Sequence, residues 1–164
     1  MKTRLSICLV IAGLGLGGCS YHPLYAKPDS GSNVASALSD VGVPPLSTRA
    51  GQLVRNGLLS GMGGGNGSRY TLNLTVTEKS SLVSSISKSV VDRHRYRLTV
   101  EYVLLESASG RELSNGKTFS VVGYDTVQEP VADLQAAETA RERAAGEVAQ
   151  DLRTRISAYF STHG

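Results

Sequence analysis

Arginine recurs at every second residue in Arg93, Arg95 and Arg97, with His94 and Tyr96 between them. In an extended strand alternate residues share a face, roughly 6.6–6.8 Å apart. Three guanidinium groups in such a row suit phosphates or carboxylates, because each offers two parallel N–H donors to an oxyanion. The same pattern also fits a solvated sheet face whose charges discourage edge pairing. Lys79 and Lys88 flank a Ser-rich stretch just upstream. They are either partner contacts or ordinary surface charges.

Cys19 is the second chemically distinctive residue. Lys2 and Arg4 precede an apolar run from Leu5 to Leu16, and Gly17-Gly18 come directly before the thiol. A basic start, an apolar core and small residues at a cut site describe a secretory signal. The run is too short for a permanent span, which takes about 20 residues. Leu16-Gly17-Gly18-Cys19 resembles a bacterial lipoprotein box. That resemblance implies cleavage before Cys19, with acylation of its sulfur and of its new amino terminus. Each buried methylene contributes about 0.8 kcal/mol, and more than one chain anchors stably. The expected organisation is a signal peptide over 1–18, a lipidated N-terminus and flexible stalk over 19–33, and a single domain over 34–164.

Other chemistry finds little support. Cys8 leaves with the signal and Cys19 carries lipid, so no thiol remains for a disulfide or a metal. His22 and His163 lie near opposite ends without a second ligand at useful spacing. No Gly-x-Ser-x-Gly is present. The Gly61–Gly67 run lacks the Gly-Lys-Ser/Thr of a phosphate loop and the three fixed glycines of a dinucleotide turn. Glu138, Glu142 and Glu147 read as a solvated helix face, and His94 as a hydrogen-bonded core or rim residue. The 17 Lys and Arg, less Lys2 and Arg4, leave 15 basic side chains against 14 Asp and Glu. So even a balance argues against nucleic acid as a partner. The expectation is a protein that is not an enzyme and holds no cofactor and no metal.

The elements that must position these residues follow from periodicity. Val34–Val43 is expected as a first strand, closed by Pro44-Pro45. Ser47 or Thr48 caps a helix in which Ala50, Leu53, Val54, Gly57 and Leu58 form one stripe. Tyr70, Leu72, Leu74 and Val76 alternate with Thr71, Asn73, Thr75 and Thr77, as in a half-buried strand. Ser80–Ser89 is a loop or an extended ribbon. A longer strand puts His94, Tyr96, Leu98, Val100, Tyr102 and Leu104 on one face, and Arg93, Arg95, Arg97, Thr99 and Glu101 on the other. A fourth strand falls within Arg111–Asp125, with Asn115-Gly116 as a turn or a bulge. From Pro130 the period becomes helical, with a stripe through Leu134, Ala137, Ala145, Val148, Leu152, Ile156, Tyr159 and Phe160. With no Trp and 2 Phe, the core must be built mostly from Leu, Val and Ala. The fold class is α+β: a four-stranded, mostly antiparallel sheet with two helices packed on one face and the other face left polar.

From Cys19 to Phe160 the chain resembles the LPS-assembly lipoprotein LptE family in its alphaproteobacterial form. The segments that carry the resemblance are Cys19-Ser20-Tyr21-His22-Pro23-Leu24-Tyr25, Arg49-Ala50-Gly51-Gln52-Leu53-Val54-Arg55-Asn56-Gly57-Leu58, Arg93-His94-Arg95-Tyr96-Arg97-Leu98 and the Ala-rich closing helix ending in Tyr159-Phe160. The resemblance implies a plug inside the LptD-type outer-membrane β-barrel. Such a plug supports barrel assembly and assists lipopolysaccharide to the outer leaflet without catalysing a reaction. Ser20 after the lipidated cysteine fits export to the outer membrane, facing the periplasm. No motif carries individual lipopolysaccharide contacts over to this chain. Replacing Cys19 by Ser should abolish metabolic incorporation of labelled palmitate and leave the protein in the soluble fraction; persistent labelling would show that another residue is acylated.

Overall fold

A computed structural model describes residues 34–64, 69–85 and 91–163. Cys19 and Lys88 lie outside the described residues. The order is α1 (Val34–Ser39), β1 (Val41–Gly42), α2 (Arg49–Gly61), β2 (Tyr70–Ser85), β3 (Asp92–Glu106), β4 (Glu112–Thr126) and α3 (Pro130–His163). The strands form one sheet in the order β1-β2-β3-β4. β1 pairs parallel to β2, and the other pairings are antiparallel. The architecture is therefore the expected α+β arrangement, with one helix more than the two anticipated.

That extra helix corrects the first expected strand. Val34–Ser39 is helical, and only Val41 and Gly42 are extended. Val34 and Leu38, four residues apart, are both buried, which is a helical spacing hidden in a window too short to show it. Thr48 is the N-cap of α2, and its Oγ1 accepts from the Gly51 amide at 3.1 Å. The Ser80–Ser89 ambiguity resolves as a ribbon at least to Ser85, with an irregularity between Leu82 and Ser84. In β4 the register slips at Leu113 rather than at Asn115-Gly116. Gly116 has a different reason for being there. The Tyr102 ring lies over it, and a Cβ would meet that ring at 2.9 Å.

β3 alternates as expected: Tyr96, Leu98, Val100, Tyr102 and Leu104 are buried, whereas Arg93, Arg95, Arg97 and Glu101 are exposed. The buried face meets α3 through Ala140, Ala144, Ala145, Val148, Ala149, Leu152, Ile156 and Phe160. Leu134, expected on this stripe, is 73% exposed, and Val131 is 83% exposed. The first turns of α3 extend beyond the sheet they were expected to cover. Small residues let the two long helices approach closely: a Cβ on Gly57 of α2 would stand 3.0 Å from that of Ala149. Gly146 within α3 costs about 1 kcal/mol relative to Ala, but buried Val148, Leu152 and Ile156 return about 1.5–3 kcal/mol each. Leu152→Ala, at the centre of this layer, should lower stability by about 2–5 kcal/mol in urea unfolding; a loss below 1 kcal/mol would mean that the seam collapses around the cavity.

Candidate functional site

The face of the sheet away from the helices is open. Strand pairing sets Lys79 of β2 directly opposite Arg97 of β3, and Ser81 opposite Arg95. On the other flank Val121 lies opposite Arg97, Phe119 opposite Thr99, and Lys117 opposite Glu101. The three arginines of the motif do not behave alike. Arg93 is engaged by Asp125 through two bonds, Nε to Oδ1 at 2.9 Å and Nη2 to Oδ2 at 3.0 Å. The Arg93 guanidinium in turn holds the Asp125 carboxyl below its usual range. Arg97 stacks over Phe119, with Cζ 4.6 Å from the ring centroid, a cation–π contact. Among the described residues, neither Arg95 nor Lys79 has a carboxylate partner.

The unneutralised charge is thus Lys79, Arg95 and Arg97, two strands wide and one face deep. Like charges directly opposite across a strand pair destabilise it, so the Lys79–Arg97 pair is an electrostatic cost of the isolated chain that an anion would relieve. Phe119 and Val121, 58% and 40% exposed, put apolar surface beside these cations. Sequence reasoning expected this face to be polar and missed both. Their alternation within Thr118–Tyr124 was the available signal, but their side depends on the register against β3, which periodicity does not supply. Together the face offers cationic forks next to an aromatic and an aliphatic side chain. Such a surface suits an amphiphile with phosphate or carboxylate groups.

His94 sits on the helix side, stacked 5.1 Å from the Tyr124 ring and with Nε2 3.1 Å from Thr126 Oγ1. Beside it a polar network ties the layers together. The Tyr96 hydroxyl donates to Glu78 at 2.7 Å, and Arg141 Nε donates to the same Glu78 oxygen at 3.0 Å. Arg141 also reaches Glu138, to which Arg49 of α2 donates at 2.9 Å. Burial and then the Glu78 hydrogen bond push the Tyr96 hydroxyl well above its ordinary value. Glu138 and Glu147, expected to be merely solvated, both make contacts between elements. Ser120 of β4 donates to Glu147 and Thr118 donates to Asp151, each at 2.6 Å. No group of His, Cys, Asp and Glu able to hold a metal occurs among the described residues.

Comparison with solved structures places this geometry. A Caulobacter crescentus CB15 protein, provisionally assigned as a lipoprotein, superposes with a TM-score of 0.71 at 26% identity, covering 80% of this chain and 97% of its own. A minor lipoprotein from Acinetobacter baumannii gives a TM-score of 0.55 at 16% identity, covering 72% and 88%. The chain shares its fold with bacterial lipoproteins. No family model and no curated protein matches it. No helix among the described residues is long and apolar enough to cross a membrane.

Asp151 provides a check on the β4–α3 contact. Burial would raise its pKa, but the Thr118 hydroxyl and the Arg155 guanidinium outweigh this and lower it. A depressed native pKa gives a contribution present above the unfolded value of about 3.9 and lost as pH falls through the native one. Asp151→Asn should therefore cost about 1 kcal/mol at pH 7, and the gap to the parent protein should close below about pH 4. A gap independent of pH would assign the loss to packing rather than to charge.

Proposed function

We propose that this protein is a lipid-anchored outer-membrane lipoprotein of LptE type. It docks in an LptD-type β-barrel, supports its assembly and assists lipopolysaccharide to the outer leaflet. The observation that carries this proposal is the open sheet face. There Lys79, Arg95 and Arg97 stand without carboxylate partners among the described residues, beside Phe119 and Val121. Phosphates of an anionic glycolipid would meet the cations, and its apolar portion the two exposed side chains. The fold shared with bacterial lipoproteins, the signal-like segment over 1–18 followed by Cys19 and the resemblance of residues 19–160 to that family support the same conclusion. Function here is docking rather than catalysis, and the two-layer body supplies a rigid platform for it.

The charge distribution also fits a second role, that of a periplasm-facing lipoprotein holding another anionic envelope ligand. Affinity isolation from detergent-solubilised envelopes separates the two, because only the first yields a stoichiometric complex with a large barrel. Arg93 is committed to Asp125, so the informative variant replaces Lys79, Arg95 and Arg97 together by Ser. It should keep the circular dichroism of the parent and lose about tenfold or more in lipopolysaccharide affinity, since each charged hydrogen bond contributes about 1.5–3 kcal/mol. Undiminished binding of both lipopolysaccharide and barrel would exclude this face as the site.

A further inference from the structure

β4 is an edge strand: among the described residues it pairs with β3 alone. Its outer backbone groups are therefore a template for another strand. Proteins commonly protect such edges with charge, proline or bulges. The outer edge of β2 has Glu78 and Lys79 within it. The β4 segment from Thr118 to Tyr124 contains no charge and no proline, and its register slip at Leu113 lies outside it. Within the strand itself, neither charge nor proline guards that stretch against pairing.

α3 runs along this edge in a fixed register. Ser120 bonds Glu147 and Thr118 bonds Asp151, so two strand residues match four helix residues. The match is geometric, about 6.6–6.8 Å of strand against about 6 Å of helix rise. Further along, Arg143 lines a cleft with Gly123, Tyr124 and Asp125. Gln135, Thr139, Arg143, Glu147, Asp151 and Arg155 thus form a polar ladder flanking the edge. Two clefts open along the seam. One of about 400 Å³ is lined by Tyr124, Asp125, Thr139, Ala140 and Arg143, with the Asp125 carboxylate already held by Arg93. The other, about 250 Å³, is lined by Thr118, Phe119, Glu147 and Asp151. Arg143 has no carboxylate partner among the described residues.

We propose that the β4 edge from Thr118 to Asp125 binds an extended acidic segment of another protein by strand addition, its carboxylate paired with Arg143. Backbone pairing supplies affinity in this mode, and pockets for alternate side chains supply selectivity. The two clefts are placed to take alternate residues of the added strand, while its opposite side chains lie beside Phe119 and Val121. A second copy of this chain does not fit in antiparallel pairing. Its own α3 lies over its own β4, so pairing two β4 edges about 4.8 Å apart would force helices closer than the 8–10 Å they need. This edge borders the cationic face and shares Phe119 and Val121 with it, whereas Arg143 stands on the helix side and belongs to the edge alone, so Arg143→Glu tests this assignment without touching the other.

The test uses purified full-length protein in detergent and a labelled nine-residue peptide of alternating Thr and Val with one central Glu. The Glu peptide should bind saturably and about tenfold more tightly than its Lys counterpart, as expected for one charged hydrogen bond. Arg143→Glu should reverse that preference, and Val121→Lys should weaken both peptides. Peptide methylated at alternate backbone nitrogens should not bind. Hydrogen exchange should slow at Thr118–Asp125 and not at β2. Absence of saturable binding by the Glu peptide, equal affinity for the Lys or methylated peptide, or protection elsewhere would overturn the proposal. Concentration-dependent dimerisation blocked by Val121→Lys would overturn it in favour of a second copy.

Discussion

One apolar contact governs this molecule: the sheet has two faces and enough helix to cover only one. Leu72, Leu98, Val100 and Leu104 are fully buried beneath Val54, Leu58, Val148, Leu152 and Ile156. At roughly 1.5–3 kcal/mol for each such side chain, that layer outweighs the few tenths of a kcal/mol of any single surface ion pair. Ion pairs such as Arg49–Glu138 and Lys117–Glu101 therefore orient elements that burial has already joined. Alanines and Gly57 make the layer thin, letting α2 and α3 lie side by side over the same sheet face.

Covering one face leaves the other free, and the residues there are not arranged for stability. Lys79 and Arg97 stand opposite each other, and Phe119 is more than half exposed. A protein optimised only for folding would separate the cations and hide the ring. The nearby Arg93–Asp125 pair shows that the same sheet can neutralise an arginine where no open charge is wanted. The contrast lies between Arg93, which is paired, and Arg95 and Arg97, which have no carboxylate partner among the described residues.

The network of Tyr96, Glu78, Arg141, Glu138 and Arg49 closes the helix side near the start of α3. It joins β3, β2, α3 and α2 through charge-assisted bonds at the rim, where water would otherwise reach the apolar layer. Arg141 interrupts the apolar stripe of α3 and serves as the clasp at its margin. Only the first turns of α3 extend past the sheet, and there Val131 and Leu134 reach solvent.

The strand alternation in Tyr70–Val76 and Arg93–Leu104, a cap at Ser47 or Thr48 and the start of the last helix at Pro130 are all legible in the residues, because each depends on neighbours a few positions away. Within the expected strand Val34–Val43 the first six residues are helical, because so short a window cannot separate a helical from an extended period. Leu134 was placed inside because periodicity gives a helix its apolar side but not the length over which a sheet lies beneath it. Likewise, three alternating arginines are visible in the chain, yet which one meets Asp125 depends on the pairing of β3 with β4. Residues close in sequence determined the elements and the choice of face. Only tertiary packing decided register, overhang and the free edge of β4, because those depend on partners far along the chain, such as Lys79 with Arg97 and Arg49 with Glu138, the latter 89 residues apart.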